Sequence, residues 1–483
     1  MQKKVISILI LLFWFTMVVL LIERTYLRPT SVIALDAATE EGLRATDEWF
    51  GIYQQGRKIG YAHTQIIPEA ETYYLAEESE LDILMLGSVQ HVKTVINNYT
   101  TKNFLLKYFD FSMNSGMATM KIKGVVIGKR LVLNIDTGGQ QRSEKINLSH
   151  PLYLSPNIKP AILLAGLEPG RQYRFTVFNP ATLSSDDAVI NVESKERIKI
   201  GDGEQMIYKL KETFQGMETT SWITQSGETF KEESALGYVL LRESMSEAKV
   251  RDKRGPVVDI IYFTMIPSDP IKESSQVKFL RVRLKGVDLE GFQLDGDGQR
   301  ASGDVVEISR DEAVSEYPLP YRQKELAGYL QPNALIQSDD RKIIEQSKKI
   351  LSGENEAGAA AKKLNEWVYG AIIKKPVVSI PSALEVLNTR EGDCNELTAL
   401  YTALARAVGI PTRMAAGIVY MENGFYYHAW PEVWIGKWLA VDPTFNQFPA
   451  DATHIRFVAG NLDRQSDIIK LVGKLKVEVL EFK

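Results

Sequence analysis

From Trp49 to about Leu294 the chain alternates apolar and polar residues with period two, in run after run. Arg171-Gln172-Tyr173-Arg174-Phe175-Thr176-Val177, Met206-Ile207-Tyr208-Lys209-Leu210 and Val277-Lys278-Phe279-Leu280-Arg281-Val282-Arg283-Leu284 all read this way. Successive side chains of a strand point to opposite faces, so each run has one buried and one wet face, as in an antiparallel sheet. Lys121 to Ile127, the turn Gly128-Lys129, and Leu131 to Ile135 make a hairpin. Many such strands over about 250 residues predict one large curved sheet or half-barrel, or two smaller sandwiches. Periodicity alone leaves both open.

Two features of this region invite a functional label and do not earn one. Asp295-Gly296-Asp297-Gly298 lacks the downstream carboxylate of a calcium loop and reads as a tight turn. His63 has no paired ligand residues nearby and reads as a surface or satisfied histidine.

The N-terminus sets a different constraint. Met1-Gln2-Lys3-Lys4 precedes Val5 to Ile22, 18 residues with no charge and only Ser7 and Thr16 polar. As a helix it spans about 27 Å, close to the roughly 30 Å of a bilayer's hydrocarbon core. Lys3 and Lys4 favour an inside N-terminus, placing the remainder outside, although Arg24 and Arg28 weaken the bias. A signal peptide cleaved near Val32-Ile33-Ala34 competes, but its apolar region is usually shorter, so an uncleaved anchor is expected. A single-pass membrane protein with an extracytoplasmic bulk, periplasmic or extracellular, follows.

After about Leu319 the pattern turns helical. Ser338-Asp339-Asp340 caps a helix running to Leu351 and ended by Gly353. Leu364, Trp367, Val368, Ala371 and Ile372 form the apolar stripe of a second helix, and Ser382 to Leu387 a short third. Arg390-Glu391-Gly392-Asp393-Cys394-Asn395-Glu396-Leu397 opens a fourth, with Leu397, Leu400, Tyr401, Leu404 and Val408 inward and Gly409-Ile410-Pro411 at its end. Strands follow at Arg413–Tyr420 and Gly424–Trp434, then a turn at Gly436-Lys437 and a run beginning at Trp438.

Cys394 is the only cysteine of 483 residues, which excludes an intrachain disulfide and a thiolate-rich zinc site. With five histidines in all, a His-rich metal site is not expected, and no metal or organic cofactor is required. Fifty-seven basic against 61 acidic residues give a net charge of −4, which argues against nucleic acid as a partner. At a helix N-terminus the free amides and the dipole favour a thiolate, predicting a pKa below about 8.5 for Cys394, and the same amides can hold an oxyanion. His428 is placed to take the thiol proton, and Asp442 to orient the imidazole and stabilise its cation. Each residue also has a plain reading: a packed cysteine, a core histidine, an Asp-Pro turn. His454 is a competing base ranked below His428. Asn388 and the Trp367 indole are weak candidates for a second oxyanion donor.

Gly392-Asp393-Cys394, Arg406 to Arg413, His428-Ala429-Trp430 and Trp438 to Thr444 match, in order and spacing, motifs of the transglutaminase-like superfamily, whose fold is related to papain-type cysteine proteases. Ser382 to Leu387 also fits. The stretch from about Ser338 to Pro449 resembles that core. The resemblance implies Cys394 as nucleophile, His428 as base and Asp442 as orienting acid. The β-rich region faintly resembles the open half-barrels of bacterial envelope lipoprotein carriers.

One geometric condition follows. If Gly436-Lys437 were a strict two-residue loop, Asp442 would pair opposite Pro431 and share a face with Ala429, not His428. An odd loop, or a bulge near Pro431, is therefore predicted.

The expected architecture is α+β: an anchor at 1–24, a linker at 25–42, a β-rich antiparallel extracytoplasmic region at 43–318 and a papain-like transglutaminase core of helices on an antiparallel sheet at 319–483. The expected activity is cysteine-dependent acyl transfer on protein or peptide amides in a bacterial cell envelope, with hydrolysis (a protease or amidase) favoured over amine transfer (an acyltransferase). The alternatives are a non-catalytic envelope binding or assembly module keeping the fold, and a lipid or glycan carrier, which requires a deep apolar cavity in the β region.

Overall fold

A computed structural model describes residues 43–483, apart from 117–118, 138, 201–202, 253, 311–316 and 461–465. Among the described residues no helix is long and apolar enough to cross a membrane; the expected anchor and linker lie outside them.

The alternating runs form one sheet, not two sandwiches. Its first eight strands are β1 (Thr46–Gln54), β2 (Arg57–Pro68), β3 (Tyr73–Met85), β4 (Ser88–Thr100), β5 (Leu106–Asn114), β6 (Thr119–Ile127), β7 (Arg130–Thr137) and β8 (Gln140–Asn147). Helix α1 (Ser155–Ala165) leads to β9 (Gln172–Asn179), β10 (Ser184–Ile200), β11 (Gly203–Phe214), β12 (Met217–Thr224), β13 (Thr229–Ser234) and β14 (Tyr238–Glu243). The order is β8-β7-β6-β5-β4-β3-β2-β1-β14-β13-β12-β11-β10-β9, antiparallel throughout. Two meanders thus meet at the centre, where β1 pairs with β14, and their outer ends curl toward each other. Tyr153 stitches the gap, donating its N–H to Thr176 and accepting from Phe178, while Leu106 donates to Leu152. Across the interior the Phe109 and Phe178 rings lie 5.8 Å apart.

Helix α1 plugs this half-barrel. Ile158, Ala161 and Ile162 pack on Tyr73 and Leu75 of β3 and on Tyr173, Phe175 and Val177 of β9. A second apolar cluster fills the other half with Phe109, Ile122, Leu131 and Leu133, and receives Ala334, Leu335 and Ile380 from the C-terminal part.

Strand β15 (Phe279–Lys285) leaves the large sheet. It pairs with the C-terminal Lys476–Phe482 on one side and with Val305–Ser309 on the other, so this small sheet draws from both sides of residue 318. The Asp295–Gly298 segment is a tight turn, with Gly296 and Gln299 exchanging hydrogen bonds. His63 is satisfied, 2.7 Å from Asp47 and stacked on Trp49.

The helical region contains α2 (Arg341–Leu351), α3 (Ala357–Ala371), α4 (Ala383–Thr389) and α5 (Cys394–Ala407). Asp340 caps α2, its carboxylate accepting from the Lys342 amide at 2.7 Å. The helix ends at Leu351 as expected, with both Ser352 (φ 50°) and Gly353 (φ 90°) at positive φ. Leu397, Leu400, Tyr401 and Leu404 of α5 are wholly buried against Leu364 and Val368 of α3. Each such side chain contributes about 1.5–3 kcal/mol on burial. The opposite face of α5 lies on β16 (Thr412–Met421) and β17 (Gly424–Trp434); β18 (Trp438–Ala440) pairs β17, and β19 (Ile455–Gly460) pairs β16.

Candidate active site

The start of α5 is fixed by a capping box. Asp393 accepts from the Asn395 amide at 2.9 Å, and Glu396 accepts from the Asp393 amide at 3.0 Å. Cys394 is therefore the first helical residue, half-buried, with its face of the helix turned to β17. The Ala429 N–H donates toward the thiol, and one turn on, Thr398 Oγ1 donates to the Ala429 carbonyl at 3.1 Å. One residue of β17, Ala429 next to His428, is thus pinned through both its N–H and its C=O to the first two turns of α5.

Asp442 reaches His428 because the β17–β18 connection is odd. Trp434 pairs with Trp438 across the three residues Ile435-Gly436-Lys437, and Val433 with Leu439. Continued to residue 442, that register sets Asp442 opposite Trp430, on the face of His428. The predicted irregularity is in the turn; at Pro431 the β16–β17 register runs through without a shift. Asp442 itself lies just past β18 and exchanges backbone hydrogen bonds with Gln447.

Its carboxylate is fully engaged. Oδ2 is 2.7 Å from His428 Nε2 and 3.0 Å from His454 Nε2, and Oδ1 accepts from the Thr444 and Phe445 amides at 2.6 and 3.3 Å. Burial opposes its ionisation, but the His428 imidazole and then that of His454 outweigh this and hold the carboxyl well below the usual range. His454 Nδ1 faces Asp451 Oδ1 at 3.3 Å. Burial disfavours its cation, yet Asp442 and Asp451 together raise its pKa to about 10. Phe445 stacks on His428, ring centres 5.1 Å apart. With Nε2 taken by Asp442, Nδ1 is the nitrogen of His428 left for other work.

The thiol departs from expectation. Burial pushes Cys394 well up, and the Asp393 carboxyl adds to this; the Ala429 N–H acts the other way. Asp393 is itself held well above the usual range, by burial and then by Glu396. Desolvation thus overrides the helix terminus, which had predicted a lowered thiol. Of the two oxyanion candidates, Asn388 is exposed and accepts from Lys342 Nζ at 3.4 Å, and Trp367 lies under the Arg390 guanidinium at 4.7 Å. Neither has a described contact with Cys394.

His454 and Asp451 are the members of this cluster that sequence reading undervalued. Their signal was faint: an Asp-Ala-Thr-His tetrapeptide outside the matching motifs. His428, Asp442 and His454 are also the one described set of three potential donors whose atoms lie within 4.8 Å of one another. The 2.7 Å contact is shorter than the about 3.3 Å separating tetrahedral zinc ligands with 2.0 Å bonds, so the residues fit a hydrogen-bonded clamp better than an ion's ligands.

Comparison with known proteins agrees with this part of the chain. Residues 344–443 match the family model of the transglutaminase-like superfamily, so the C-terminal part carries a transglutaminase-like core. No curated protein matches the chain. Among solved structures, a candidate cysteine protease from Cytophaga hutchinsonii is similar at 15% identity and TM-score 0.29, over 43% of this chain and 90% of that one. A β-barrel-like protein of a domain family of unknown function from Brucella abortus is similar at 8% identity and TM-score 0.33, over 42% and 96%. A candidate protease from Parabacteroides distasonis is similar at 10% identity and TM-score 0.20, over 77% and 70%.

Proposed function

We propose that the chain is a membrane-anchored, extracytoplasmic cysteine enzyme that cleaves protein or peptide amides by acyl transfer. The observation that carries the reading is the convergence of α5, β17 and the loop after β18 on Cys394, His428 and Asp442. The sulfur attacks the amide carbonyl carbon while its proton passes to His428 Nδ1, so the resting group is a thiol and His428 acts as general base. The C–N bond breaks, the imidazolium gives the proton to the leaving amine, and a thioester remains. Water then attacks, His428 takes its proton, and the acid leaves as the proton returns to sulfur. Asp442, held ionised by four hydrogen bonds, keeps Nε2 protonated and steadies the cation. The apolar 18-residue run at the N-terminus supports the anchor and the envelope location.

Hydroxylamine tests this directly, because it captures a thioester as a hydroxamate. The full chain is incubated with a mixed peptide pool and hydroxylamine, and hydroxamates are read by mass. The expected result is hydroxamate from the parent and none from Cys394→Ala or His428→Ala. Turnover that survives Cys394→Ala contradicts the reading, and silence from all three favours the binding-module alternative.

A further inference from the structure

The concave face of the half-barrel, under α1, holds an open-sided cavity of about 1100 Å³. Its lining includes alternate residues of several strands, as inward positions should: Thr46, Glu48 and Phe50 on β1, Leu75 and Glu77 on β3, Glu212 and Phe214 on β11. Most inward positions are apolar or small, as a packed barrel needs. Glu48, Glu77, Glu212 and Glu232 break that pattern, and Lys159 of α1, partly exposed among them, pairs with Glu232 and acts on the other three through space.

The four carboxylates are not equivalent. Glu232 is paired with Lys159. Glu48 accepts from the Thr229 amide at 3.1 Å and lies 3.6 Å from Arg242. Glu77 and Glu212 are part-buried and have no hydrogen bond and no ion pair among the described residues. Burial raises the pKa of both, with Lys159 opposing. The other cation of the lining, Arg44, is exposed. Two part-buried carboxylates with no ion pair of their own, on the wall of a cavity with apolar sides, leave negative charge that a ligand can complete.

We infer that this cavity binds an organic cation, an amine or guanidine on an apolar body, with its positive group taken by Glu77 and Glu212. Phe50, Leu75, Leu163, Phe214 and Leu240 supply the apolar walls. A bare metal ion fits poorly, because these carboxylates are not among the described donor sets that converge within 4.8 Å. An anionic lipid headgroup would meet five glutamates of the lining against Lys159 and Arg44, which disfavours it on charge. The inference is independent of the role given to Cys394.

The test is calorimetric titration of the full chain at pH 7 with n-octylammonium, 1,8-diaminooctane and octylguanidinium, against octanol and octanoate as matched bodies. At least one cation is expected to bind with a Kd of about 1 mM or tighter, and about tenfold or more tighter than octanol and octanoate. Glu77→Gln combined with Glu212→Gln should weaken it about tenfold or more, with the Cys394 alkylation rate unchanged. Lys159→Met, which leaves both carboxylates in place, should tighten it. Failure of all three cations to bind, equal binding of octanol or octanoate, or indifference to the double substitution in a folded variant each overturns the proposal.

Discussion

Asp442 and His454 meet through Oδ2 and Nε2 at 3.0 Å, on the same oxygen that His428 contacts at 2.7 Å. A carboxylate with two imidazoles on one oxygen, and two backbone amides on the other, has little freedom to rotate. Its geometry is set before any substrate arrives, which is what a residue orienting a base must provide.

The second imidazole gives stability a pH signature. The native pKa of His454, raised to about 10, lies above its unfolded value of about 6.5. Its contribution is therefore fully present below about pH 6.5 and is lost as pH rises through about 10. In that window the unfolded chain has released the proton and the native chain keeps it, so stability falls by up to about 1.4 kcal/mol per pH unit. Asp442 acts oppositely: its lowered pKa stabilises above about pH 3.9 and is lost only in strong acid. Urea unfolding at pH 6 and 9 should show a steeper loss for the parent than for His454→Gln; equal slopes would remove the charged clamp.

Gly417 faces His428 across β16 and β17. A Cβ there would lie 2.0 Å from the Ile455 carbonyl oxygen and 2.8 Å from the Trp430 ring. Ile455 follows His454, so an added methyl must displace the start of β19 and pull His454 from Asp442. Gly417→Ala should cost about 1–3 kcal/mol in denaturant unfolding. It should also flatten the pH dependence just described.

Two glutamates, Glu432 and Glu212, should respond with opposite signs. Glu432 sits between Arg413 at 2.7 Å and Arg456 at 2.9 Å, and although burial opposes its charge, Arg456 and then Arg413 hold its pKa down. Glu432→Ala strands two guanidinium groups and should cost about 3–5 kcal/mol. Glu212 has no such partner and its pKa is raised by burial, so its charge weakens the fold increasingly as pH rises above about 4.3. Glu212→Gln should raise the Tm at pH 7 by about 2–4 °C, for a gain near 1 kcal/mol, and by less at pH 4. Calorimetry on both variants checks the contrast.

The strands were legible because alternation reports a half-wet sheet, and α5 because its cap, apolar stripe and Gly409 coincide. Parity forced the odd turn between His428 and Asp442, although its place at Ile435 was not evident. Choosing one sheet over two sandwiches needed the pairing of β1 with β14, a contact across some 190 residues that no local pattern encodes. The fate of β15 was hidden for the same reason, since its partner is at the far C-terminus. The cavity carboxylates were hidden because a glutamate at an inward strand position looks, in sequence, like one facing water. The raised thiol was missed because helix polarity is visible in a sequence and depth of burial is not.

The central claim is that Cys394 and His428 act as one unit oriented by Asp442, and the single thiol makes it measurable. Alkylation of the full chain by iodoacetamide is followed against pH for the parent, His428→Ala and Asp442→Asn. The parent profile should centre above the about 8.5 of a free thiol, because burial raises it. His428→Ala should move the midpoint up by about one further pH unit or more and slow labelling at pH 7 about tenfold, with Asp442→Asn in between. Superimposable profiles for the parent and His428→Ala would contradict the claim.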